Sequence, residues 1–581
     1  MKSRLQASRQ PQTQERGSVA EAYLSLLAER GVDYLFGNAG TDFAPLIEAY
    51  ARAAQAGARV PRPILAAHEN LAVAMAHGYA MVSRRIPAVM AHVSVGTANM
   101  VCAALNAARE NVAMLLTAGR SPLTETGLLG SRDGYIHWAQ EMYDQAGMLR
   151  EIVKWDYELR NPEQLATVVD RALAIAASEP RGPVYLSLPR EVIAAPASAV
   201  ERSRESQFHA AAPAAPDANA VSQAAAILEH ASRPLIVTAN AARDPAGFGA
   251  LGQFSERFAI PVVQHRPRYL SLASSHPMHL GFDPGRLVPE ADAILVIESD
   301  VPWLPGKTAP RRDCKVIHCG LDPLFTRYPI RGFPCDLAIT GAVAPTLSAL
   351  AAALDGKIDV EKIALRRRAL AEERAELVAG WKAAADSGAR KSPPDPAWVS
   401  HCIGRAKEPS CIVINEYTLH PEHCSFEAPD LYFGSSSASG LGWGAGAALG
   451  AKLARPESPV MAVLGDGAYM FSNPVAAHHA SALHDLPVLL VVMNNAMWGA
   501  VDRSTRAMYP RGLASRSNDP PFVHLQKLPA FERICEAAGG YGERVEDGAA
   551  LPGALERAFS VVKDEGRQAL LNVICGPGGT A

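Results

Sequence analysis

The sequence predicts an α/β protein built from three doubly wound parallel-sheet domains. Two observations carry this: short apolar runs rich in Val, Ile and Leu alternate with helix-like segments along most of the chain, and the runs end in glycine-rich or polar clusters, as parallel strands do where their loops gather on one sheet edge. A third sets the domain count. At 581 residues the chain is too long for one core, and two stretches interrupt the alternation. These divide it into a tail (1–16, expected to be disordered), a first domain (17–193), an Ala/Pro/Ser-rich linker (194–216), a central Rossmann-like domain (217–355), a charged helical connector (356–396) and a last domain (397–581).

In the first domain a helix is expected over Ala20–Glu29, followed by a strand over Gly31–Phe36 that ends in Gly37-Asn-Ala-Gly-Thr41. The next strand, Ile64–Ala67, ends at His68-Glu69-Asn70 and runs into a helix, Leu71–Val82. Strands at Pro87–Ala91, Met114–Thr117 and Pro183–Leu188 complete the set. Thr41, Glu69 and His92 therefore fall at strand C-termini. Each has an ordinary structural use: Thr41 as a helix cap, Glu69 as a first-turn carboxylate, His92 as a core histidine.

The central domain has runs at Pro234–Thr238, Pro261–Val263, Ala293–Ile297 and Lys315–His318. It holds a literal GxGxxG, Gly247-Phe-Gly-Ala-Leu-Gly252. The dinucleotide fingerprint begins straight after a strand, and here Ala239–Ala246 intervenes, so the match reads as chance. A helical, charged segment from Leu347 to Ala385 leads to Ser392-Pro-Pro-Asp-Pro396.

The last domain opens near Trp398, with a strand at Cys411–Ile414 ending in Asn415-Glu-Tyr-Thr418. Ser439-Gly-Leu-Gly-Trp-Gly-Ala-Gly446 reads as a small-residue helix start whose N–H groups could meet phosphate. The central stretch is Gly465 to Met497. A strand, Pro459–Leu464, stops at Gly465-Asp466-Gly467, and 26 residues later comes Asn494-Asn495. Between them lie a helix-like segment, Asn473–His484, and a second apolar run, Pro487–Met493. Asp466, the Asn495 amide oxygen and the Met497 carbonyl form an oxygen set suited to Mg²⁺. Gly-Asp-Gly alone would be a tight turn; its spacing from the paired asparagines says more.

Composition excludes several classes. The apolar and charged fractions, 48 % and 20 %, are those of an ordinary globular protein. A formal net charge of −3 points to neither nucleic acid nor an anionic membrane. Nine cysteines without a CxxC fit free thiols in a reducing cytoplasm, and the group Cys314, His318, Cys319 matches no common zinc spacing. The N-terminus lacks a signal-peptide apolar stretch, and no run approaches the ~18 apolar residues that span a bilayer. A cytoplasmic location is expected. His420 and His423 read as loop histidines rather than a metal pair.

The stretch GDGAYMFSNPVAAHHASALHDLPVLLVVMNN resembles the signature of the thiamine diphosphate enzymes. HENLAVAMAHGYA resembles the segment in which that family places its activating glutamate, which is Glu69 here. GNAGT and AHVSVGTAN resemble loops of the benzoylformate decarboxylases, giving Thr41 and His92 as active-site groups. His137–Asp144 instead resembles the glutamine motif of the acetolactate synthases, with Gln140 in its place. The resemblance implies pyrimidine-binding, central and diphosphate-binding domains. It implies cofactor contacts at Asn38, Ala39, Gly40, Glu69, Glu416, Thr418, Ser439, Gly440, Leu441, Gly465, Asp466, Gly467, Ala468, Asn495, Met497 and Trp498, with Mg²⁺ on Asp466, Asn495 and Met497. Leu441 would prop the cofactor into its bent shape. Glu69 would favour the imino tautomer of the aminopyrimidine, which then deprotonates the thiazolium carbon intramolecularly. The implied reaction is decarboxylation of a small-molecule 2-oxo acid through an enamine, which is protonated to release an aldehyde; the alternative is synthase-like attack on a second 2-oxo acid. The middle domain of acetolactate synthases holds flavin adenine dinucleotide, but Ala239-Asn240-Ala241 stands where a glycine-rich turn is usual, so FAD is expected to be absent or non-essential. The family's cofactor lies between two subunits, which implies a homodimer or a dimer of dimers. Competing classes are a flavin- or nicotinamide-linked oxidoreductase built on the middle domain, and a silent binding protein.

Overall fold

The computed structural model describes residues 17–197, 206 and 209–576; the expected tail, part of the 194–216 stretch and the last five residues lie outside the described residues. The first sheet is formed by β1 (Tyr34–Gly37), β2 (Arg62–Leu65), β3 (Ala88–Ala91), β4 (Met114–Arg120), β5 (Asp156–Glu158) and β6 (Pro183–Pro189), in the order β2-β1-β3-β4-β6-β5. The second contains β7 (Pro234–Thr238), β8 (Val262–Gln264), β9 (Ala293–Ile297), β10 (Lys315–Gly320) and β11 (Leu337–Thr340), ordered β11-β10-β9-β7-β8. The third contains β12 (Ile412–Glu416), β13 (Tyr432–Gly434), β14 (Val460–Gly465), β15 (Leu489–Asn494), β16 (Tyr541–Val545) and β17 (Ala569–Ile574), ordered β13-β12-β14-β15-β17-β16. Every pairing is parallel. The three-sheet α/β architecture is the one the alternating runs predict.

Parallel sheets covered on both faces give near-continuous apolar strands, and successive side chains alternate between the faces. Phe36, Val89, Ala91 and Leu116 join one core cluster, while Leu35, Ala88, Met90 and Leu115 join another. The third sheet repeats this, with Ile414, Ala462 and Val492 on one face and Val413, Met461 and Val491 on the other. The inner faces of the two outer sheets share a single core. Between them pack the helices Glu69–Ser83 and Gly444–Ala454. Their contact is backbone to backbone: a Cβ on Gly450 would lie 1.8 Å from the Met75 carbonyl oxygen. Any side chain there would force the helices apart.

Buried charges tie the three sheets together. Arg268 donates to Asp300 (2.9 Å) and to Glu110 (3.3 Å), Tyr328 donates to Asp300 (2.9 Å), and Ser437 N donates to Glu110 (3.3 Å). Glu110 belongs to the first domain, Arg268, Asp300 and Tyr328 to the second and Ser437 to the third. Unpairing a buried charge costs several kcal/mol, roughly 3–5, so this junction fixes how the outer sheets face one another.

The structure departs from the sequence expectations at several elements. β5, β11, β13 and β16 are short or less uniformly apolar and fall outside the expected strands; β17 also does, although its Ala569–Ile574 run is as apolar as β15. The first strand starts at Tyr34 rather than Gly31, because Gly31 has φ +81° and turns the chain out of the preceding helix. The helical connector is two helices, Val343–Ala353 and Val360–Gly388, parted near Gly356 at φ +69°. Gly-Asp-Gly is not a plain turn: Asp466 opens a short helix, Asp466–Phe471, which stops at Asn473 (φ +52°) before the Pro474–Leu483 helix. Proline lacks the N–H that a continuous helix would need there.

Candidate active site at two sheet edges

The first edge gathers the C-termini of β1, β3 and β4 with the start of the Glu69 helix. Glu69 is buried. Its two carboxylate oxygens each accept one amide proton, from Asn38 Nδ2 and from Asn99 Nδ2, both at 3.0 Å. Each oxygen keeps a lone pair for another donor. The loop Asn38-Ala39-Gly40-Thr41 follows β1, and Gly40 lies against the His92 ring.

His92 precedes the helix Val93–Arg109, and its Nδ1 stands 2.5 Å from Asp42 Oδ1. Val93 N donates to the other Asp42 oxygen at 3.3 Å, with Val93 held at φ +31°. Asp42 is buried only because β4 has a glycine beside it: a Cβ on Gly119 would fall 1.9 Å from Asp42 Oδ2. The carboxylate holds the Nδ1 proton and raises the proton affinity of the imidazole above its ordinary value; burial opposes this and Glu69 adds to it. His92 Nε2 is thereby aimed away from Asp42, 3.3 Å from the Gln140 side-chain nitrogen. The two residues that the sequence assigns to different chemistries thus meet at one point. Gln140 is fixed through its backbone carbonyl, which accepts from Ser94 Oγ at 2.7 Å, while its own Oε1 is buried without a partner. An amide can offer nitrogen to a neutral imidazole or oxygen to a protonated one, so Gln140 suits both states of His92.

Thr41 Oγ1 faces His137 Nε2 at 3.5 Å. His137 Nδ1 lies 3.3 Å from both Asp133 N and Gly134 N and 3.4 Å from the Asp133 carboxylate. Burial lowers the proton affinity of His137, and Asp133 opposes this. Asp42, Asn99 and His137 are site residues that the sequence reading passed over. Each sits inside or beside a stretch that the reading singled out.

The second edge is at the C-termini of β12, β14 and β15. Asp466 is buried, and its Oδ1 accepts from Gly467 N at 2.8 Å. Its Oδ2 has no hydrogen-bond partner. Burial pushes this carboxyl above the ordinary range, and the N–H groups of Gly467, Ala496, Met497 and Asn495 pull it back. Asn495 Oδ1 accepts from Met497 N at 3.1 Å, whereas Asn494 turns inward to Asn572 at 3.0 Å. Trp498 N bonds Val523 O and Leu525 N bonds Ala496 O, which leaves the Met497 carbonyl outside that ladder. The Trp498 ring lies across Gly467, where a Cβ would come within 2.2 Å of it. Ala468 is buried beneath. Thr418, whose Cγ2 lies against Gly465, has a buried hydroxyl with no partner.

Glu416 and the helix start beyond it are joined to one another within the chain. The fully buried Glu416 carboxylate accepts from Gly442 N (2.8 Å), Trp443 N (3.4 Å) and Gly444 N (2.7 Å). The N–H groups read from sequence as phosphate ligands are therefore occupied from within the chain. Tyr417 and Ser439, both at positive φ, join through their hydroxyls, and Gly440 is held by Asn106 through bonds of 2.8 and 3.0 Å. Leu441 packs against the shared core. Among the described residues no hydrogen bond joins the predicted residues of one edge directly to those of the other. The helix Val93–Arg109 connects them, holding Glu69 through Asn99 and Gly440 through Asn106. Non-glycine residues at positive φ recur here, at Val93, Tyr417, Ser439 and Ala496, the kind of strain that clusters at working sites.

Elsewhere, the literal GxGxxG lies inside the helix Pro245–Phe258 and forms no phosphate loop. His318 is spent on the Pro334 carbonyl (3.0 Å) and Arg331 (3.2 Å). Among the described residues no helix is long and apolar enough to cross a membrane.

Family profiles match in three consecutive pieces: "Thiamine pyrophosphate enzyme, N-terminal TPP binding domain" over residues 17–148, the central domain over 221–350, and the C-terminal TPP binding domain over 417–573. The chain belongs to the thiamine diphosphate-dependent enzymes. It is 27 % identical to benzoylformate decarboxylase of Pseudomonas aeruginosa, covering 94 % of this chain and 97 % of that one. It is 26 % identical to sulfoacetaldehyde acetyltransferase of Rhodobacter capsulatus (94 % and 92 %), and 24 % to the acetolactate synthase large subunit of Haemophilus influenzae (94 % and 92 %). Among solved structures, 4-hydroxybenzoylformate decarboxylase of Rhodococcus jostii superposes with a TM-score of 0.77 over 96 % of this chain and 99 % of that one, at 21 % identity. The relatives thus include a decarboxylase, an acetyltransferase and a synthase. Two buried oxygens without partners at the second edge, Asp466 Oδ2 and Thr418 Oγ1, fit a cation-bearing diphosphate cofactor.

Proposed function

We propose that this enzyme decarboxylates a small 2-oxo acid and releases an aldehyde, using thiamine diphosphate and Mg²⁺. The observation that carries this reading is His92, clamped by Asp42 at 2.5 Å so that its proton affinity is raised and its Nε2 is presented at the first edge. Bound thiamine diphosphate supplies a carbon nucleophile and a store for the electrons left when carbon dioxide departs. Asp466, the Asn495 side-chain oxygen and the Met497 carbonyl would hold Mg²⁺. Glu69, steadied by two amides, accepts a hydrogen bond from the pyrimidine side of the cofactor. His92 gives its Nε2 proton to the carbon that becomes the aldehyde and recovers one from solvent. Thr41, which faces His137, offers a hydroxyl donor beside His92 at that edge.

Gln140 supports a second reading. Its side-chain N–H group, at 3.3 Å from His92 Nε2, could donate to a second carbonyl compound and favour carbon–carbon joining over protonation. Two variants and a product screen with pyruvate, 2-ketobutyrate and benzoylformate decide between the readings. His92→Ala should lower aldehyde release by roughly 10²- to 10⁴-fold, the usual range for a positioned acid–base, and Gln140→Ala should change it far less. Loss of a hydroxy-acid product with Gln140→Ala, and indifference to His92→Ala, would establish the synthase instead.

A homodimer, or a dimer of dimers, is the active unit under this reading. The segment that carries His137 and Gln140 also exposes Leu128, Leu129, Tyr135, Trp138 and Tyr143, an apolar concentration suited to a second copy of the chain.

A further inference from the structure

Three residues beyond the second edge bring together donors that neither the fold nor the proposed chemistry uses. His420, Glu422 and His423 each contribute one ligand atom to a group lying within 4.8 Å of one another, and all three side chains are partly buried. Two imidazoles and one carboxylate form a donor set of borderline softness, matched to zinc and its transition-metal neighbours rather than to the oxygen-seeking Mg²⁺. The sequence alone suggested only loop histidines, because Glu422 reveals itself as a third donor only once the turn is folded.

The backbone that carries these donors is fixed before any ion arrives. His420 N donates to Ser400 Oγ at 3.0 Å, and the Asn415 side chain clamps Leu419 through two bonds of 3.0 Å. The single turn Pro421–His423 is closed by His423 N on His420 O at 3.1 Å, and the helix Pro396–Ala406 packs so closely that a Cβ on Gly404 would lie 2.4 Å from the His423 carbonyl. The two imidazoles face one another with centroids 6.2 Å apart and planes 27° from parallel, and His420 Nδ1 already lies 3.3 Å from Glu422 Oε1. Metal–ligand bonds of about 2.0–2.2 Å need the three donors only slightly closer together, which side-chain rotation supplies. Asp395 lies near both histidines and adds negative charge, but Lys391 and Ala397 N occupy its oxygens.

We propose that His420, Glu422 and His423 form a second metal site, for Zn²⁺ or a similar transition-metal ion, with at least one coordination position left to solvent. An ion there would lock the turn that directly follows Thr418, and so steady the loop on which that hydroxyl is held at the second edge. The site is chemically distinct from the oxygen set at Asp466 and does not depend on the functional reading.

The test uses the full chain without a histidine tag, stripped with a chelator and supplied with excess Mg²⁺ and thiamine diphosphate, then titrated with Zn²⁺ by calorimetry. The expected result is one zinc per chain in the wild type and in Asp466→Ala alike. His423→Ala and the milder Glu422→Gln should each weaken it tenfold or more while keeping the wild-type circular dichroism. Co²⁺ in place of Zn²⁺ should give visible ligand-field absorption that the same two variants remove. Wild-type zinc affinity in His423→Ala and Glu422→Gln, or no zinc uptake by the wild type, would overturn the proposal and leave the group an ordinary imidazole–carboxylate pair.

Discussion

Glu416 and Asp466 stand at the C-termini of adjacent parallel strands, both buried and both with their carboxyls pushed up by desolvation. Their partners make them opposites. Glu416 accepts three backbone N–H groups and thereby fixes the start of the Gly444–Ala454 helix, whereas one oxygen of Asp466 accepts no hydrogen bond. A buried carboxylate that is fully paired holds a shape. One left half-paired costs stability, and a fold retains it where something outside the chain completes the pairing. The first edge follows the first plan: His92 and Glu69 have their partners within the same domain.

The difference is broken most directly at Asp466. Asp466→Ala should abolish Mg²⁺-dependent binding of thiamine diphosphate, since it removes the one anionic group of the proposed metal set. The apo protein should melt no lower than wild type, because the lost carboxylate was only partly paired. Calorimetry that returns the wild-type cofactor affinity would show that the metal is held elsewhere. Glu69→Gln touches a paired group and should have the reverse profile. Cofactor binding persists and most of the turnover disappears, because an amide keeps the shape but cannot supply the charge. Undiminished exchange of the cofactor's reactive C–H proton with deuterium would remove Glu69 from that role.

Glu416→Ala sharpens the contrast on the stability axis. It strands three buried N–H groups at roughly 1–3 kcal/mol each, so the apo melting temperature should fall by many degrees even without cofactor. If Glu416→Ala and Asp466→Ala proved equally harmless to the apo protein, the distinction between shape-holding and ligand-awaiting carboxylates would fail.

Much of this was legible in the sequence, and the reason lies in spacing. Runs such as Pro459–Leu464 and Pro487–Met493 are apolar because both sheet faces are covered, so their ends locate the edges without any tertiary knowledge. What spacing does not encode is who pairs with whom. Asp42 directly follows the Gly37–Thr41 loop, Asn99 closes the His92 loop, and His137 opens the Gln140 segment, yet none had a signal of its own. Their importance comes from contacts between residues 30 to 96 positions apart. Glu416 shows the same limit: its place at a strand end gives no sign of the N–H groups it satisfies, some 26 residues on.

The subtlest expected effect concerns the pair that tunes His92. Asp42 raises the proton affinity of the imidazole, so the folded protein holds that proton at a pH where an exposed histidine would have lost it. The sign follows directly. The stabilisation from the charged pair is fully present below the unfolded-state pKa of histidine, and it is lost as pH rises through the higher folded value. If His92 acts as the proton donor, activity should share that upper limit. Asp42→Asn keeps an oxygen to accept from Nδ1 but removes the charge. The alkaline limb of kcat should therefore move to lower pH, with KM little changed, while activity at acidic pH stays closer to wild type. A purely structural role for Asp42 would lower kcat by the same factor at every pH. A limb that stays in place after Asp42→Asn would show that another group sets it, and would take from His92 the proton-donor role on which the decarboxylase reading rests.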